Sequence, residues 1–249
     1  MIQESKKLFF KTASIAFDDE LALKLAAQKK YSALTILTYN QLNLSGFELT
    51  KKKTSAICLD KELLEILGQF NPSTRNQINR TFNEPAIEFK NGDDCFDDAY
   101  SLYKYFEYSQ GRVPFPKKEM MHFKPFLAYY EGRPVSLVFC LDQFPFLRAR
   151  SICSIRLKAE DKALYRWIAC ASRRLIYEIC RYGQEKKYKW LDMGSINLEA
   201  GEKSGIAGFK ASFHGEIIDE YTYFYKSRVF GIFEKFVKIK LTIYKLFKI

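Results

Sequence analysis

The sequence predicts an α/β protein with a mixed sheet, on three observations from its second half. An antiparallel meander is written in Phe126–Tyr130 and Val135–Leu141 around Glu131-Gly132-Arg133-Pro134, with Leu147–Leu157 as a third strand. A long amphipathic helix over 161–182 then carries Leu164, Trp167, Ile168, Ala171, Leu175, Ile176 and Ile179 on one face. Beyond it come two strands, Tyr188–Met193 and Gly215–Tyr225, separated by a glycine-punctuated loop. The meander demands antiparallel neighbours and the strand reached across a helix demands a crossover, so the sheet is mixed.

The first half supplies shorter elements. Residues 17–30 read as a helix, with Asp18 and Asp19 at its positive end and Lys29 and Lys30 at its negative end. Tyr31–Tyr39 is a strand by its β-branched and aromatic content. Phe47–Leu49 and Ser55–Leu59 are expected to form a hairpin across a Lys51-Lys52-Lys53 turn. Lys61–Phe70 is a short helix, and Asn71-Pro72-Ser73-Thr74 starts another that runs to Glu84 before Pro85. Ala86–Phe89 is a short strand, Asp97–Tyr108 a helix, and Gln110–Lys118 a loop.

Composition excludes several classes. The 249 residues are 47% hydrophobic and 16% aromatic, which excludes disorder and leaves ample material for a core. No run approaches the roughly 20 apolar residues of a spanning helix. After Lys6 and Lys7 only Leu8-Phe9-Phe10 is apolar, too short for a secretory signal. The six cysteines are scattered without a C-x-x-C pair, so the expectation is a reduced cytoplasmic protein with buried thiols and no metal cluster.

The net charge of +11 is concentrated at the C-terminus. From Lys226 onward seven Lys and Arg oppose Glu234 alone, a net +6, and most apolar residues of 226–249 share one helical arc. A basic amphipathic helix is expected there. Three readings stand: a helix docked on the core, a helix lying on the inner face of an anionic membrane, and a nucleic-acid contact without an accompanying motif.

The chemistry-bearing stretch is Trp190-Leu191-Asp192-Met193-Gly194-Ser195-Ile196-Asn197, followed by Gly205-Ile206-Ala207-Gly208-Phe209-Lys210-Ala211-Ser212-Phe213-His214-Gly215. A strand ending in small and polar residues is the usual site edge in an α/β sheet. Gly205 and Gly208 allow close backbone approach, and Lys210 between aromatics suits a phosphate or a developing oxyanion. The plainer alternative is an ordinary loop.

With Pro72–Arg80 and the Phe126–Phe139 hairpin, these segments resemble GNAT-fold acyltransferases of the Fem branch, to which peptidoglycan cross-bridge peptidyltransferases belong. The resemblance covers roughly 70–225, and Phe-Lys-x-x-Phe-x-Gly is its most specific part. It implies a GNAT-like, mostly antiparallel sheet flanked by helices over 71–225, a reduced N-terminal α/β part over 1–70, and the basic helix over 226–249. It places Phe209 and Lys210 at a catalytic centre where the lysine stabilises charge on the transferred acyl group. It also implies acyl-CoA as co-substrate, with no tightly bound cofactor, and a nucleotide- or lipid-linked amino sugar as amine acceptor. The branch's coiled-coil arm is absent, which argues against aminoacyl-tRNA as donor. The glycine-rich phosphate loop of acetyl-CoA enzymes is absent too. In its place Arg156 and Lys158 precede the long helix, with Glu160 and Asp161 opposing an anion.

Further candidates complete the expected site. Asp192 is either the base for the attacking amine or a carboxylate capping nearby backbone, and His214 is either a base or structural. Backbone amides near Ser195–Asn197 would hold the oxyanion. Arg75, Asn76 and Arg80 on one helix either grip an anionic acceptor or form an exposed face. His122 is expected to be a packing residue. The rival to an acyltransferase is a non-catalytic module of degenerate GNAT fold, recruited to membrane or nucleic acid by its tail.

Overall fold

The computed structural model describes residues 2–159, 161–196 and 205–236. In chain order the elements begin with β1 (Ile2–Lys7), β2 (Phe10–Ala16), α1 (Asp19–Gln28), β3 (Ala33–Thr38) and β4 (Glu48–Cys58). Then come α2 (Leu63–Gln69), α3 (Pro72–Thr81), β5 (Ile87–Asn91), α4 (Phe96–Ser109) and α5 (Lys117–Met120). The meander follows as β6 (Lys124–Tyr130), β7 (Arg133–Gln143) and β8 (Phe146–Ser154). Last are α6 (Lys162–Glu185), β9 (Trp190–Ser195), α7 (Gly205–Ala211), β10 (Glu216–Lys226) and a helix α8 over 228–236.

The chain divides into two compact units, Met1–Lys53 with Ile218–Ile249, and Thr54–Ile217. This differs from the expected boundaries at 70 and 225, because β10 returns to the N-terminal unit and pairs with β3 there. No change of composition marks such a return.

In the first unit the strands run β1-β2-β3-β10. β1 and β2 form an antiparallel hairpin, α1 crosses over to make β2 and β3 parallel, and β10 is antiparallel to β3. Asp18 caps α1 by accepting from the Leu21 amide at 3.1 Å. Ala22 and Leu25 of α1 bury against Ile15, Leu34, Ile36, Tyr221 and Tyr223. The Tyr223 hydroxyl accepts from the Leu42 amide at 2.7 Å and donates to its carbonyl at 2.9 Å, holding the loop after β3. The lysine triplet is strand, not turn. Alternation along β4 puts Lys51 and Lys53 on one face, where both pair with Asp219, at 2.9 and 2.6 Å.

In the second unit the order is β4-β9-β8-β7-β6-β5. All of these neighbours are antiparallel except β8 and β9. Period-2 patterning buries both faces. Phe126, Ala128, Val138 and Cys140 face α2, α3 and α6, while Leu127, Tyr129, Leu137 and Phe139 face α4. The β6–β7 turn is the two residues Glu131-Gly132, both at positive φ, 50° and 72°. Asn71 caps α3 by accepting from the Ser73 amide at 2.8 Å. Five of the six cysteines are buried and all six are free. Burial pushes the thiols of Cys95 and Cys153 up to about 11 and about 12. Among the described residues no helix is long and apolar enough to cross a membrane.

Candidate active site

The sheet of the second unit opens between β8 and β9. These parallel strands are in register only through Phe146–Trp190, Leu147–Leu191 and Arg148–Asp192. β8 nevertheless continues to Ser154 and β9 to Ser195. Bulges lie on both strands just past the last pair. β7 opposes β8 with a shift between Phe139 and Cys140, and β4 opposes β9 with a shift between Thr54 and Ala56. A bulge bends and twists its strand, so the two part. The result is a gap between the two strands whose floor is the last pair.

That floor is an ionic lock. Asp192 is fully buried and pairs with Arg148, whose side chain is 13% exposed. The Thr54 hydroxyl donates to Asp192 as well, and the Gly194 amide donates to its Oδ1 at 2.7 Å. A carboxylate held by a guanidinium, a hydroxyl and an amide matches the backbone-capping alternative more closely than a waiting base. Gly194 sits at φ 78°, and a Cβ there would lie 3.3 Å from the Ala149 carbonyl oxygen and 3.4 Å from Lys210 Nζ. Gly194→Ala should therefore lower stability by roughly 1–3 kcal/mol. It should also displace the Lys210 ammonium, so an alanine variant that keeps the wild-type melting temperature contradicts this geometry.

Phe209 and Lys210 lie on a helix, α7, where a loop was expected. Two aromatic contacts fix it: Phe209 meets Phe213 edge-on at 5.1 Å, and Phe213 meets Phe70, the residue that follows α2, at 5.0 Å. These outweigh the low helix propensity of Gly205 and Gly208, its first and middle residues. From the end of α7, Lys210 Nζ donates to the Ser195 carbonyl at 2.9 Å, which sets an ammonium on the C-terminal edge of β9. His214 is exposed and closes the turn after the helix at φ 48°. Gly215 follows because a Cβ would come within 2.5 Å of Ser55 Oγ and 3.0 Å of the Ala56 carbonyl oxygen. Asn197 lies outside the described residues.

Sequence reasoning missed a cation beside Phe209. Arg173, on α6, hydrogen-bonds Thr74 of α3 at 3.4 Å and stacks over the Phe209 ring at 5.6 Å. Burial, with the neighbouring Arg156 charge, pulls its guanidinium below the usual arginine range. Arg156 lies over Tyr165 at 4.2 Å, and its Nε is buried without a hydrogen-bond partner among the described residues. Burial pushes the Cys170 thiol up, and the charges of Arg80, Arg173 and Arg156 oppose that rise. Among the described residues none of the three is ion-paired. Cations held without a counter-charge suit an anionic ligand. The signal available in the sequence was only that Arg173 falls beside the apolar stripe of α6.

The other expected anion contacts separate. Arg75 donates to the Gly68 carbonyl and so clamps α3 to α2. Asn76 is exposed, and so is Lys158 on the 3-10 turn before α6. Asp161 caps α6 by accepting from the Leu164 amide at 2.8 Å, so the helix end meets a carboxylate of its own chain. His122 is exposed rather than packed. It lines a separate open cleft of about 470 Å³ with Lys124, Asp142 and Phe123, at the end of the sheet where β6 begins and β7 ends.

No protein-family model and no curated protein sequence matches the chain. Solved structures do. FemX is similar over 89% of this chain and 82% of its own, with 11% identity and a TM-score of 0.62. L-PGS from Bacillus licheniformis is similar over 91% and 81%, with 16% identity and a TM-score of 0.56. The C-terminal DUF2156 domain of a proposed lysylphosphatidylglycerol synthetase from Agrobacterium fabrum is similar over 96% and 84%, with 13% identity and a TM-score of 0.56. With the strand order and the parted β8–β9 pair, these similarities show that the chain has the Fem-type GNAT fold, a mixed and mostly antiparallel sheet flanked by helices.

Proposed function

We propose that the chain is an N-acyltransferase. It moves an acyl or aminoacyl group from an activated donor, acyl-CoA first, to the amine of an amino sugar or another cell-envelope precursor. One observation supports the reading: where β8 and β9 part, Lys210 sits on the β9 strand edge, and Arg173, without an ion pair among the described residues, lies over the neighbouring Phe209 ring. The amine attacks the donor carbonyl, forming a C–N bond, and the donor's thiol or hydroxyl leaves after the amine sheds its proton. Lys210 stabilises the oxygen that gains charge, and the gap supplies orientation. Arg173 holds the donor's phosphates.

A second donor has specific support. Asp161 already caps α6, so this helix end offers a pyrophosphate little, and side-chain cations must do the gripping. That favours a large polyanionic donor such as aminoacyl-tRNA. The names of two similar proteins, L-PGS and lysylphosphatidylglycerol synthetase, point the same way for the acceptor, towards envelope lipids. On this reading the reaction runs in the cytoplasm, at the inner face of the membrane. Titrating the protein calorimetrically with acetyl-CoA, a long-chain acyl-CoA and lysyl-tRNA tests the donor. At least one should bind saturably, and Arg173→Ala should weaken it about tenfold, the loss of one charge-assisted contact. If none binds, the non-catalytic module is the better reading.

A further inference from the structure

Two local rules are broken at one place in the first unit. The β1–β2 register runs to Lys7↔Phe10, so Leu8 and Phe9 are the whole turn. Two-residue hairpin turns ordinarily take glycine or asparagine, and a positive φ at the first position is glycine's contribution. Here that position is Leu8 at φ 54°, and the pair stands in solvent, Leu8 63% and Phe9 85% exposed. One step back, Lys6 faces Lys11 directly across the strands, a like-charge pair that destabilises a hairpin. Neither feature serves this unit's own folding. Both are satisfied together by a surface that is apolar within and anionic at its rim.

The tip does not stand alone. Phe10 contacts Phe230 at 5.1 Å and Phe233 at 5.0 Å, which fastens the hairpin to α8. With Phe230 and Phe233 turned to that cluster, Val229, Ile232 and Phe236 are left exposed at i, i+3 and i+7, a single helical stripe. Arg228 and Lys235 are exposed beside it, and the one carboxylate of α8, Glu234, is held by Lys226 at 2.5 Å. Apolar side chains ringed by cations are the composition of an interfacial membrane contact.

We infer that the β1–β2 tip and the exposed stripe of α8 form one wedge that docks this unit on an anionic lipid bilayer, Leu8 and Phe9 entering the acyl boundary and the flanking cations meeting lipid phosphates. The inference goes beyond the acyl-transfer reading and does not rest on it. It also differs from a tail-only anchor, because its leading residues lie at the other end of the sequence.

The test is flotation of the full chain with vesicles of phosphatidylcholine alone, and of phosphatidylcholine carrying roughly one-third phosphatidylglycerol. Binding should occur only to the anionic vesicles and weaken with salt. The variant Leu8→Gly/Phe9→Asn installs ordinary turn chemistry, so its melting temperature should hold or rise while vesicle binding falls at least about tenfold. Lys6→Gln/Lys11→Gln should likewise keep the fold and reduce binding. The inference is overturned if the wild-type chain ignores anionic vesicles, if the tip variant binds them undiminished, or if it loses stability, since Leu8 and Phe9 would then be structural. Self-association of the wild type, lost in the tip variant with vesicle binding unchanged, would instead make the wedge a contact between copies.

Discussion

Replacing Lys210 by alanine should slow acyl transfer by about a hundred- to a thousand-fold, the usual effect of removing one preorganised oxyanion donor. The fold should survive. Lys210 stands on the rim of the gap with its ammonium on the Ser195 carbonyl, a contact worth about 1–3 kcal/mol at most. The loss should fall on kcat, because the charge it stabilises develops after the donor binds. Arginine should not restore the rate. Its planar fork is broader than an ammonium, and the Lys210 Nζ already lies 3.4 Å from where a Cβ on Gly194 would sit. Steady-state kinetics of Lys210→Ala and Lys210→Arg beside donor titrations check this. A wild-type kcat in the alanine variant removes Lys210 from the mechanism.

Asp192→Ala should be the most damaging single change to stability. It strips a fully buried carboxylate from Arg148, Thr54 and the Gly194 amide, and strands a guanidinium that is itself only 13% exposed. Breaking such a pair from one side costs about 3–5 kcal/mol. For a unit of this size that is a fall in melting temperature of roughly 6–20 °C. Asp192→Asn retains an acceptor for the hydroxyl and the amide, so it should lose less. Thermal unfolding of both variants gives the ranking. The asparagine variant also separates the two roles considered for Asp192. If it melts near wild type yet transfers no acyl group, the carboxylate is a base after all.

Legibility differed across the chain for physical reasons. The second unit's meander, α6 and β9 were readable because their apolar periods, 2 and then 3.6, are written locally. β1 and β2 were not, since Ile-Gln-Glu-Ser-Lys-Lys carries no strand signature and is extended only by its pairing with β2. The lysine triplet of β4 reads as a turn until Asp219, far along the chain, supplies counter-charge to alternate residues. α7 reads as a loop because its glycines are local and its support, Phe70 after α2, is not.

The candidate site was half visible. Phe209 and Lys210 came from the family resemblance, and Asp192 and Ser195 from their place at a strand end. Arg173 was hidden, because a periodic pattern on α6 shows which face is apolar and not that α3 and α7 close around its border. Gly194 was visible as a glycine. Its role needed the β9 bulge and the approach of Ala149, both products of three strands meeting.

The most direct test of the central claim is product mass. Folded wild-type protein is incubated with acetyl-CoA, a long-chain acyl-CoA or lysyl-tRNA, and with amine acceptors from nucleotide amino sugars to aminolipids. The acceptors are then weighed by mass spectrometry. The account predicts that at least one acceptor gains the mass of the acyl group, and that Lys210→Ala forms the same product far more slowly. An acceptor panel left unmodified by every donor, from protein shown to be folded, would contradict it.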